Sequence, residues 1–285
     1  MFPVGKMCKV MKVSKSGYYH WLGRKPGIRE GYRKNLVNHI KTIFEWSKKR
    51  YGSPRITKEM EMLGIKGSRP LVARLMRKEN MRSIVKKRFK QTTDSSHSYP
   101  VVVNLLNQNF QMKEKNQAWV SDLTYINTSE GWLYLTTVID LYDRKVIGWA
   151  MSETMKAKDT SIAALQIALI HRPLQNTQKL IFHSDRAIQY ACTEFTNEVQ
   201  KQKSITRSRS GKGICYDNAV AESFFKTLKT KLVYRNKYKT KHEAYLSVFE
   251  YIEGFYNTHR RHSKLRNLTI KGYQNLMCNP AKKTA

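Results

Sequence analysis

Three carboxylates of this chain lie in segments of three different kinds, and together they could hold metal ions. Asp122 lies in an alternating segment, Asp185 follows a short apolar one, and Glu222 lies near the start of a long amphipathic one. Mg²⁺ and Mn²⁺ prefer carboxylate oxygens and need few protein ligands. Two such ions about 4 Å apart activate an attacking oxygen, neutralise charge on phosphorus and stabilise the leaving oxygen of a phosphodiester. We therefore predict that Asp122, Asp185 and Glu222 are the metal ligands and catalytic residues of a site for two Mg²⁺ or Mn²⁺ ions.

Each acid alone has an ordinary explanation, as an edge-strand, turn or solvated helix residue, but the neighbouring residues favour a site. Asp122 shares a strand face with Val120, where a carboxylate is costly to bury unless it is ligated. Glu222, Lys226 and Lys229 recur at helical spacing and form one stripe. Such a helix can hold metal at one end and contact DNA phosphates beyond it, so Lys226 and Lys229 are predicted to bind DNA.

Four other polar residues near these segments receive different interpretations. Asp217 precedes the helix of Glu222 and is interpreted as its N-cap, a position that Asp favours. Asp140 and Asp143 lie beside a predicted turn and are alternative ligands of second rank. His183 lies in a short apolar segment and is predicted to pack in the core.

The charge balance predicts a polyanionic partner. The chain has 53 Lys and Arg against 21 Asp and Glu, a formal net charge of +32, and 40% of its 285 residues are hydrophobic. It therefore has enough apolar material for a core and is predicted to be a folded basic protein rather than a disordered polycation. Residues 1–100 carry 25 basic and 6 acidic side chains, and the other 185 residues carry 28 and 15. Both halves are expected to touch nucleic acid.

Composition argues against several other classes of protein. The four cysteines have no CxxC spacing, which argues against a zinc module or a disulfide framework. No apolar run reaches the roughly 18–20 residues that cross a membrane, and the amino terminus has no signal-peptide pattern. We expect no membrane partner and a cytoplasmic, nucleoid-associated location.

The first part of the chain is predicted to be helical. Residues 7–22 have the pattern of a short helix-turn-helix, with Ser14 as a cap and Gly17 at the turn. Residues 33–49 are predicted to form a basic amphipathic helix with one apolar stripe.

A second pair of helices is predicted at residues 55–63 and 70–78, with Ser68 as the N-cap of the later one. This is the layout of a helix-turn-helix DNA reader whose second helix enters a groove. The alternative is two ordinary packed helices with solvated basic faces. The residues predicted to bind DNA here are Arg69, Arg74, Arg77 and Lys78.

Further along the chain, strand patterns come first and then alternate with helical ones. The predicted order is three strands (120–126, 133–141, 145–151), a helix (158–170), a strand (180–183), a helix (193–201), a strand (205–207) and a helix (218–232). This α/β order is typical of an RNase H-like mixed sheet. The predicted regions are a basic helical DNA-binding region with a helix-turn-helix (1–90), a linker (91–112), an RNase H-like core (113–233) and a C-terminal helical extension (234–285).

The C-terminal extension has an aromatic stripe followed by a basic segment. We predict that the stripe packs on the catalytic core, and that Phe249 lies inside it. Arg260 and Arg261 are predicted to lie beside the active-site groove and to neutralise DNA phosphates. The stripe consists of Tyr245, Val248, Phe249, Ile252, Phe255 and Tyr256.

Six segments, taken in order, resemble the OrfB-type transposases of the insertion-sequence-three family. They are Ser14-Lys-Ser-Gly-Tyr-Tyr-His-Trp21, Tyr51-Gly-Ser-Pro-Arg55, Trp119-Val-Ser-Asp-Leu-Thr-Tyr125, His183-Ser-Asp-Arg186 with Gln189-Tyr190, Asp217-Asn-Ala-Val-Ala-Glu-Ser-Phe-Phe225 and Tyr256-Asn-Thr-His-Arg-Arg-His-Ser263. The resemblance places the family's catalytic triad on Asp122, Asp185 and Glu222. It implies a retroviral-integrase-like core, dependence on Mg²⁺, cutting and joining of DNA at element ends, a homo-oligomer on DNA, and fusion to or binding of an upstream-frame product.

The chain departs from the family pattern at several positions. Between Asp185 and Glu222 lie 36 residues, one more than is usual. Ala187 replaces a usual glycine, which would strain a turn that needs a positive φ. Arg209, Ile214 and Lys231 also stand where other residues are common.

Two other functions remain open from the sequence. One is a catalytically decayed DNA-binding product of such an element, which would keep the basic region and an inert core. The other is an RNase H-like nuclease that acts on RNA hybrids or junctions. The helix-turn-helix pattern argues against this nuclease, because a structure-selective enzyme has less need of a sequence reader.

Overall fold

The computed structural model describes residues 3–23, 27–84, 102–175, 177–211 and 215–278. The chain forms two compact units, Met1–Ser83 and Ile84–Ala285. Residues 91–101 of the predicted linker lie outside the described residues. Ile214, one of the departures from the family pattern, also lies outside them. The rest of that predicted linker, residues 102–112, is part of the second unit, where Leu106 is buried and the Leu105 N–H donates to Ser208 Oγ at 2.9 Å.

The first unit is helical, as the sequence predicts. Its helices are α1 (Val4–Val10), α2 (Lys15–Leu22), α3 (Ile28–Trp46), α4 (Ser53–Met62) and α5 (Arg69–Lys78). Ser14 caps α2 by accepting from the Gly17 N–H at 3.0 Å, and Ser68 caps α5 by accepting from the Leu71 N–H at 3.4 Å. Gly17 therefore lies in the first turn of α2, and its predicted place at the turn between helices is wrong.

The core of this unit is made by one face of each of its three longest helices. Leu36 and Ile40 of α3 are buried, as the predicted apolar stripe requires. The other buried side chains of α3, α4 and α5 are Ile43, Phe44, Ile56, Met60, Val72, Leu75 and Met76. Because α5 buries these apolar residues on one side, its basic residues are left on the other.

The second unit contains a five-stranded mixed sheet. Its strands are β1 (Ala118–Thr128), β2 (Gly131–Asp140), β3 (Val146–Ser152), β4 (Leu180–Ser184) and β5 (Ile205–Arg209). The strand order is β3-β2-β1-β4-β5, with β1–β2–β3 antiparallel and β4 and β5 parallel to β1. A meander followed by parallel strands with helical crossovers is the RNase H-like arrangement, and the predicted α/β fold class is confirmed.

Helices cover the sheet and extend past it. They are a π-helical segment (Lys158–Ile162) that continues as α6 (Ala163–His171), then α7 (Ile188–Ala191), α8 (Thr193–Gln200), α9 (Ala219–Lys231), α10 (Lys241–Phe249) with a π-helical continuation (Glu250–Tyr256), and α11 (Ile270–Cys278). Helix α6 lies so close to β3 that a Cβ on Gly148 would fall 2.2 Å from the Ala164 carbonyl oxygen. Only glycine fits at that position.

The C-terminal aromatic stripe is divided between core and surface. Val248 and Ile252 are fully buried, and the Asn257 side chain accepts from the Val146 N–H and donates to its carbonyl, each at 3.0 Å. Phe249, however, is 48% exposed and Tyr245 is 42% exposed. The prediction that Phe249 is a core residue is wrong: Val248, Ile252, Phe255 and Tyr256 are buried, whereas Phe249 and Tyr245 pack beside the Trp149 ring of β3 and stay partly in solvent.

Candidate active site

Parallel pairing of β1 with β4 brings the first two acids together. In that pair Val120 lies opposite His183 and Ser121 opposite Ser184. Asp122 is the next residue of β1, and Asp185 directly follows the last residue of β4. The two acids therefore lie side by side at the end of this strand pair. Both side chains are half-buried.

Helix α9 brings the third acid to the same place. Glu222 lies in the first turn of α9 and is exposed. Asn218, the residue before that helix, donates from Nδ2 to the Ser121 carbonyl oxygen at 2.9 Å. This hydrogen bond fixes the start of α9 against the β1 residue that precedes Asp122.

Asp217 has a different role from the predicted one. The residue that precedes α9 is Asn218, and its side chain makes no capping hydrogen bond. Asp217 is buried one residue earlier, where its Oδ1 accepts from Gln108 Nε2 at 3.1 Å and its Oδ2 from the Gly211 N–H at 2.9 Å. The N-cap prediction is wrong, since this carboxylate joins two loops instead.

The three acids repel one another. Burial raises the pKa of Asp122 well above its usual range, and the charges of Asp185 and Glu222 raise it further, against a hydrogen bond from the Leu123 N–H and the charge of Lys229. Burial and Asp185 also raise the pKa of Glu222. A set of carboxylates held this way is stabilised by a nearby positive charge.

The donor set is of the kind that a hard divalent cation prefers. All three groups are carboxylates, and no histidine or cysteine joins them. Within the ranges that the structure describes, no three or more His, Cys, Asp or Glu side chains are grouped closely enough to hold a metal ion as they stand. The three carboxylates nevertheless have the oxygen donors that such an ion prefers, and a bound cation would offset their mutual repulsion.

Two buried polar residues, Tyr190 and His183, lie near the acids. The Tyr190 hydroxyl is 2.7 Å from Ser121 Oγ, and burial together with the charges of Asp122 and Asp185 raises the pKa of Tyr190 well above its usual range. His183 is fully buried between Ser208 Oγ (2.9 Å) and Ser210 Oγ (3.2 Å), and burial lowers its pKa to about 4. His183 is thus a neutral core residue, as predicted.

The residue that replaces the usual glycine is not strained. Ala187 has φ −62° and ψ 146°, which any residue adopts. Its N–H donates to Asp185 Oδ1 at 3.0 Å and so orients that carboxylate. The strain predicted for Ala187 is absent.

Arg209, another departure from the family pattern, lies near Asp185. Its side chain is buried, and burial and the charges of Arg207 and Arg186 lower its pKa while Asp185 raises it. A buried guanidinium therefore contributes positive charge to one side of the acid cluster.

Comparison with known proteins identifies the family. Family models for the integrase core domain match residues 112–215 and 222–277, and a model for an HTH-like domain matches residues 32–89. The Escherichia coli K12 protein "Transposase InsF for insertion sequence IS3A" is 38% identical over 276 residues, which cover 96% of this chain and 94% of that protein. The chain belongs to the insertion-sequence-three (IS3) family of transposases.

Other known proteins align with most or with part of the chain. The "Insertion element IS600 uncharacterized 31 kDa protein" of Shigella sonnei is 40% identical to this transposase over 94% of the chain and 97% of that protein. Among solved structures, the simian T-cell lymphotropic virus intasome aligns with a TM-score of 0.45 at 14% identity, covering 85% of this chain and 75% of that chain. The HTLV-2 integrase catalytic core domain in complex with magnesium aligns with a TM-score of 0.40 at 16% identity, covering 56% and 97%.

The basic stripe of α9 continues from the acids of the transposase. Lys226 is exposed and its charge lowers the pKa of Glu222. Lys229 Nζ lies 4.8 Å from the centre of the Tyr125 ring. Burial lowers the pKa of Lys229, whereas Asp122 raises it. The helix thus carries an acid and two cations along one side.

The two C-terminal arginines differ from each other. Arg260 is half-buried, with its guanidinium 5.5 Å from the centre of the Tyr256 ring. Arg261 is only 5% exposed and donates from Nη1 to the Asn267 carbonyl at 3.2 Å. The prediction that Arg261 binds DNA is wrong, because its guanidinium faces the protein, where the chain turns back after the π-helical segment.

The alternative ligands Asp140 and Asp143 belong to a separate buried cluster. Both are fully buried, and Arg172 bonds both, reaching Asp140 through Nη1 and Asp143 through Nη2, the latter at 2.5 Å. Asp140 also accepts from the Asn116 N–H at 3.0 Å, and Gln274 donates to Asp143. These carboxylates are occupied with structural partners, so their ranking as alternative ligands is wrong.

Hydropathy adds one further observation about the transposase. Across the described residues, no helix has the length and apolar character to cross a membrane.

Burial of the Asp122 carboxylate, together with repulsion from the neighbouring acids, predicts that Asp122→Asn stabilises the metal-free transposase. Because the folded-state pKa of Asp122 is raised, ionisation destabilises the fold as pH rises above the ordinary carboxyl range, and Asn cannot ionise. Each unit of raised pKa corresponds to about 1.4 kcal/mol, and 1 kcal/mol shifts the melting temperature of a domain of this size by about 2–4 °C.

We therefore expect Asp122→Asn to melt several degrees above the wild type at pH 8 in EDTA, and the difference to shrink toward pH 4. Glu194→Gln, which neutralises an exposed acid in the first turn of α8, is the matched control. It should change the melting temperature little at either pH. An Asp122→Asn variant that melts below the wild type at pH 8 would contradict the repulsion.

Proposed function

We propose that this transposase cuts DNA strands at the ends of its insertion sequence and joins them to a target, using Asp122, Asp185 and Glu222. The observation that carries the proposal is the convergence of three acids: β1 pairs with β4 so that Asp122 lies beside Asp185, and the start of α9, the helix of Glu222, is bonded to β1. The charges of Asp185 and Glu222 raise the pKa of Asp122, and such perturbed groups cluster at functional sites, where a bound cation would offset the repulsion.

The three carboxylates would hold two Mg²⁺ or Mn²⁺ ions, which when bound supply charge neutralisation at the scissile phosphate and an activated oxygen. Asp185 is oriented for this by the Ala187 N–H and Asp122 by the Leu123 N–H. Glu222 is exposed in the first turn of α9, where DNA can reach it.

Cations beyond the acids would hold the DNA backbone. Lys226 and Lys229 follow Glu222 along α9 at spacings that keep them on one side, and there they would neutralise phosphates next to the scissile one. Arg260 would add a contact from the C-terminal segment, since part of its side chain reaches the surface.

Helix α5 would bind the element ends. Its four basic side chains are exposed while its apolar side is buried, and this is the layout of a helix that enters a DNA groove. Each phosphate that it neutralises adds a slope of about −0.9 to log K against log salt. The residues are Arg69, Arg74, Arg77 and Lys78.

The working form would be a homo-oligomer on DNA. An insertion sequence has two ends, and each needs an end-binding unit and an acid cluster, whereas the described residues of one chain form one such cluster. The resemblance to the OrfB-type transposases further implies that the product of the upstream frame would join the complex, by fusion or by binding.

Strand cleavage by the purified chain tests this function. On a duplex that carries the element's end, we expect a nick at the end with Mg²⁺ or Mn²⁺ and none with EDTA or Ca²⁺, because Ca²⁺ has a looser geometry. DNA binding without any nicking in either metal would indicate the decayed, DNA-binding alternative. Nicking in EDTA would contradict the metal-ion proposal.

A further inference from the structure

A pocket of about 520 Å³ lies beside the basic stripe of α9. Its floor is the β1–β2 hairpin, where Asn127 pairs with Trp132 and Gly131 makes the turn with φ +109°. Its walls are Lys229 of α9 and the segment that follows this helix. The residues of that segment that line it are Val233, Tyr234, Asn236, Lys237 and Tyr238.

The hairpin and the segment after α9 are fastened to each other. The Ser129 N–H donates to the Tyr238 carbonyl at 3.0 Å, and the Tyr238 hydroxyl lies 3.0 Å from Ser247 Oγ on α10. Tyr238 is buried by these contacts. The pocket is therefore preformed by the backbone rather than assembled from mobile side chains.

Aromatic rings line the open side of the pocket. Trp132 is 51% exposed, Tyr234 is 47% exposed and Tyr125 is 38% exposed. The rings of Tyr125 and Trp132 meet edge to face with centres 5.3 Å apart. Exposed apolar rings that cluster around one cavity mark an interaction site, whereas single scattered ones do not.

Positive charge borders the same rings. The Lys229 ammonium lies 4.8 Å from the Tyr125 ring centre, and Lys237 lines the opposite wall and is exposed. Aromatic rings interleaved with cations are the surface on which unpaired nucleotides bind, because each base stacks on a ring while the phosphates meet the cations. The Asn127 amide and the Asn236 side-chain carbonyl can hydrogen-bond a base edge, whereas Asn236 Nδ2 and the Ser129 hydroxyl donate to the Leu232 and Tyr238 carbonyls.

The pocket is close to the proposed catalytic acids. Tyr125 follows Asp122 by three residues on β1, which is about 10 Å along a strand. Lys229 contacts Tyr125, and its charge also acts on Asp122. Lys229 is therefore shared by the pocket and the acid cluster.

We propose that the pocket formed by Tyr125, Trp132 and Tyr234 binds an unpaired nucleotide of the DNA strand that enters the active site. The volume is in the range of small-ligand sites and admits a base but not a duplex. Capture of one unpaired base would hold the end of the element open and fix the adjacent phosphate over Asp122 and Asp185. This inference rests on the proposed function for the identity of the DNA, but the binding itself needs no cleavage.

The test is binding of the full chain, in EDTA, to two duplexes of one sequence. In one duplex all bases are paired, and in the other the last bases are mismatched, with 2-aminopurine as the reporter of stacking. Stacking on a protein ring changes affinity by about 5- to 150-fold per base. We expect the wild type to bind the duplex with the mismatched end more tightly than the paired one. In Trp132→Ala the ratio of these two affinities should fall by at least about 5-fold.

Two matched variants separate stacking from structure. Trp132→Phe keeps a ring and should retain the preference and the quenching of 2-aminopurine, whereas Phe249→Ala removes an exposed ring on another part of the same unit and should change neither. Melting curves identify any variant that fails to fold, and Tyr234→Ala then replaces Trp132→Ala.

Equal weakening of both duplexes, or no weakening, in the folded Trp132→Ala and Tyr234→Ala variants would overturn the proposal. Because the assay contains no usable metal, its result does not depend on catalysis. A ring-dependent preference for the mismatched duplex without metal-dependent nicking would support the pocket and reject the proposed enzymatic activity. Metal-dependent nicking without that preference would reject only the pocket.

Discussion

Asp122→Asn, Asp185→Asn and Glu222→Gln are each expected to abolish metal-dependent nicking and strand joining while DNA affinity persists. Losing one ligand removes part of the charge stabilisation of the transition state. That stabilisation amounts to several kcal/mol, and each 1.4 kcal/mol is about tenfold in rate. The loss should therefore be at least about 10³-fold. Single-turnover nicking of an end-bearing duplex in Mg²⁺, beside a binding titration in EDTA, measures both quantities.

Glu194→Gln is again the matched control, because Glu194 occupies the first turn of a helix and is exposed as Glu222 is, but on α8. It should nick at the wild-type rate. Near-normal nicking by any of the three variants would remove that residue from the triad. A variant that melts early and loses DNA binding is misfolded and does not test the triad. It is then replaced by the Asp→Glu or Glu→Asp variant at the same position.

Arg172→Met is expected to cost about 3–5 kcal/mol of unfolding free energy, because it leaves two buried carboxylates without their partner. Asp140 and Asp143 are 0% exposed and the Arg172 side chain is 9% exposed. Burial already raises the pKa of Asp140 while Arg172 opposes it, so removing the guanidinium should push that pKa higher. The destabilisation is then present at neutral pH and falls as pH drops and Asp140 is protonated.

Thermal melting at pH 8 and at pH 5 measures this, with an expected loss of roughly 6–20 °C at pH 8 and less at pH 5. Arg235→Met, at an exposed arginine in the same unit, is the control and should change little. Adding Asp140→Asn and Asp143→Asn to Arg172→Met should restore part of the loss, since a cluster without charges has no unpaired ion. Full stability of Arg172→Met alone would show that the carboxylates are not held by this guanidinium.

The sequence by itself determined the elements and the residue types of the candidate site. Period-two alternation and helical stripes are local properties, and they placed β1, β4 and α9 within a few residues of where they lie. An acid within or just after each element then predicted a shared site, because an RNase H-like order leaves few ways to pair the strands. Capping by Ser14 and Ser68 was equally local, and both caps are present.

Only the tertiary structure decided which polar side chains were already occupied. The sequence alone leaves Asp140 and Asp143 as alternative metal ligands. In the fold, Arg172, about 30 residues further along the chain, bonds both of them. Asp217 accepts from Gln108, over a hundred residues away, and Arg261 bonds a carbonyl within its own turn. No local pattern encodes such partners, because they depend on which loops the fold brings together.

Exposure was the other property that required the fold. Phe249 and Val248 are neighbours on one aromatic stripe, yet the sheet covers Val248 and leaves Phe249 half in solvent. In the same way, Tyr125 and Trp132 have ordinary strand positions in the sequence, and only the return of the segment after α9 makes them the rim of a pocket. Periodicity indicates which residues share a face, but the extent of the partner surface sets how much of that face is buried.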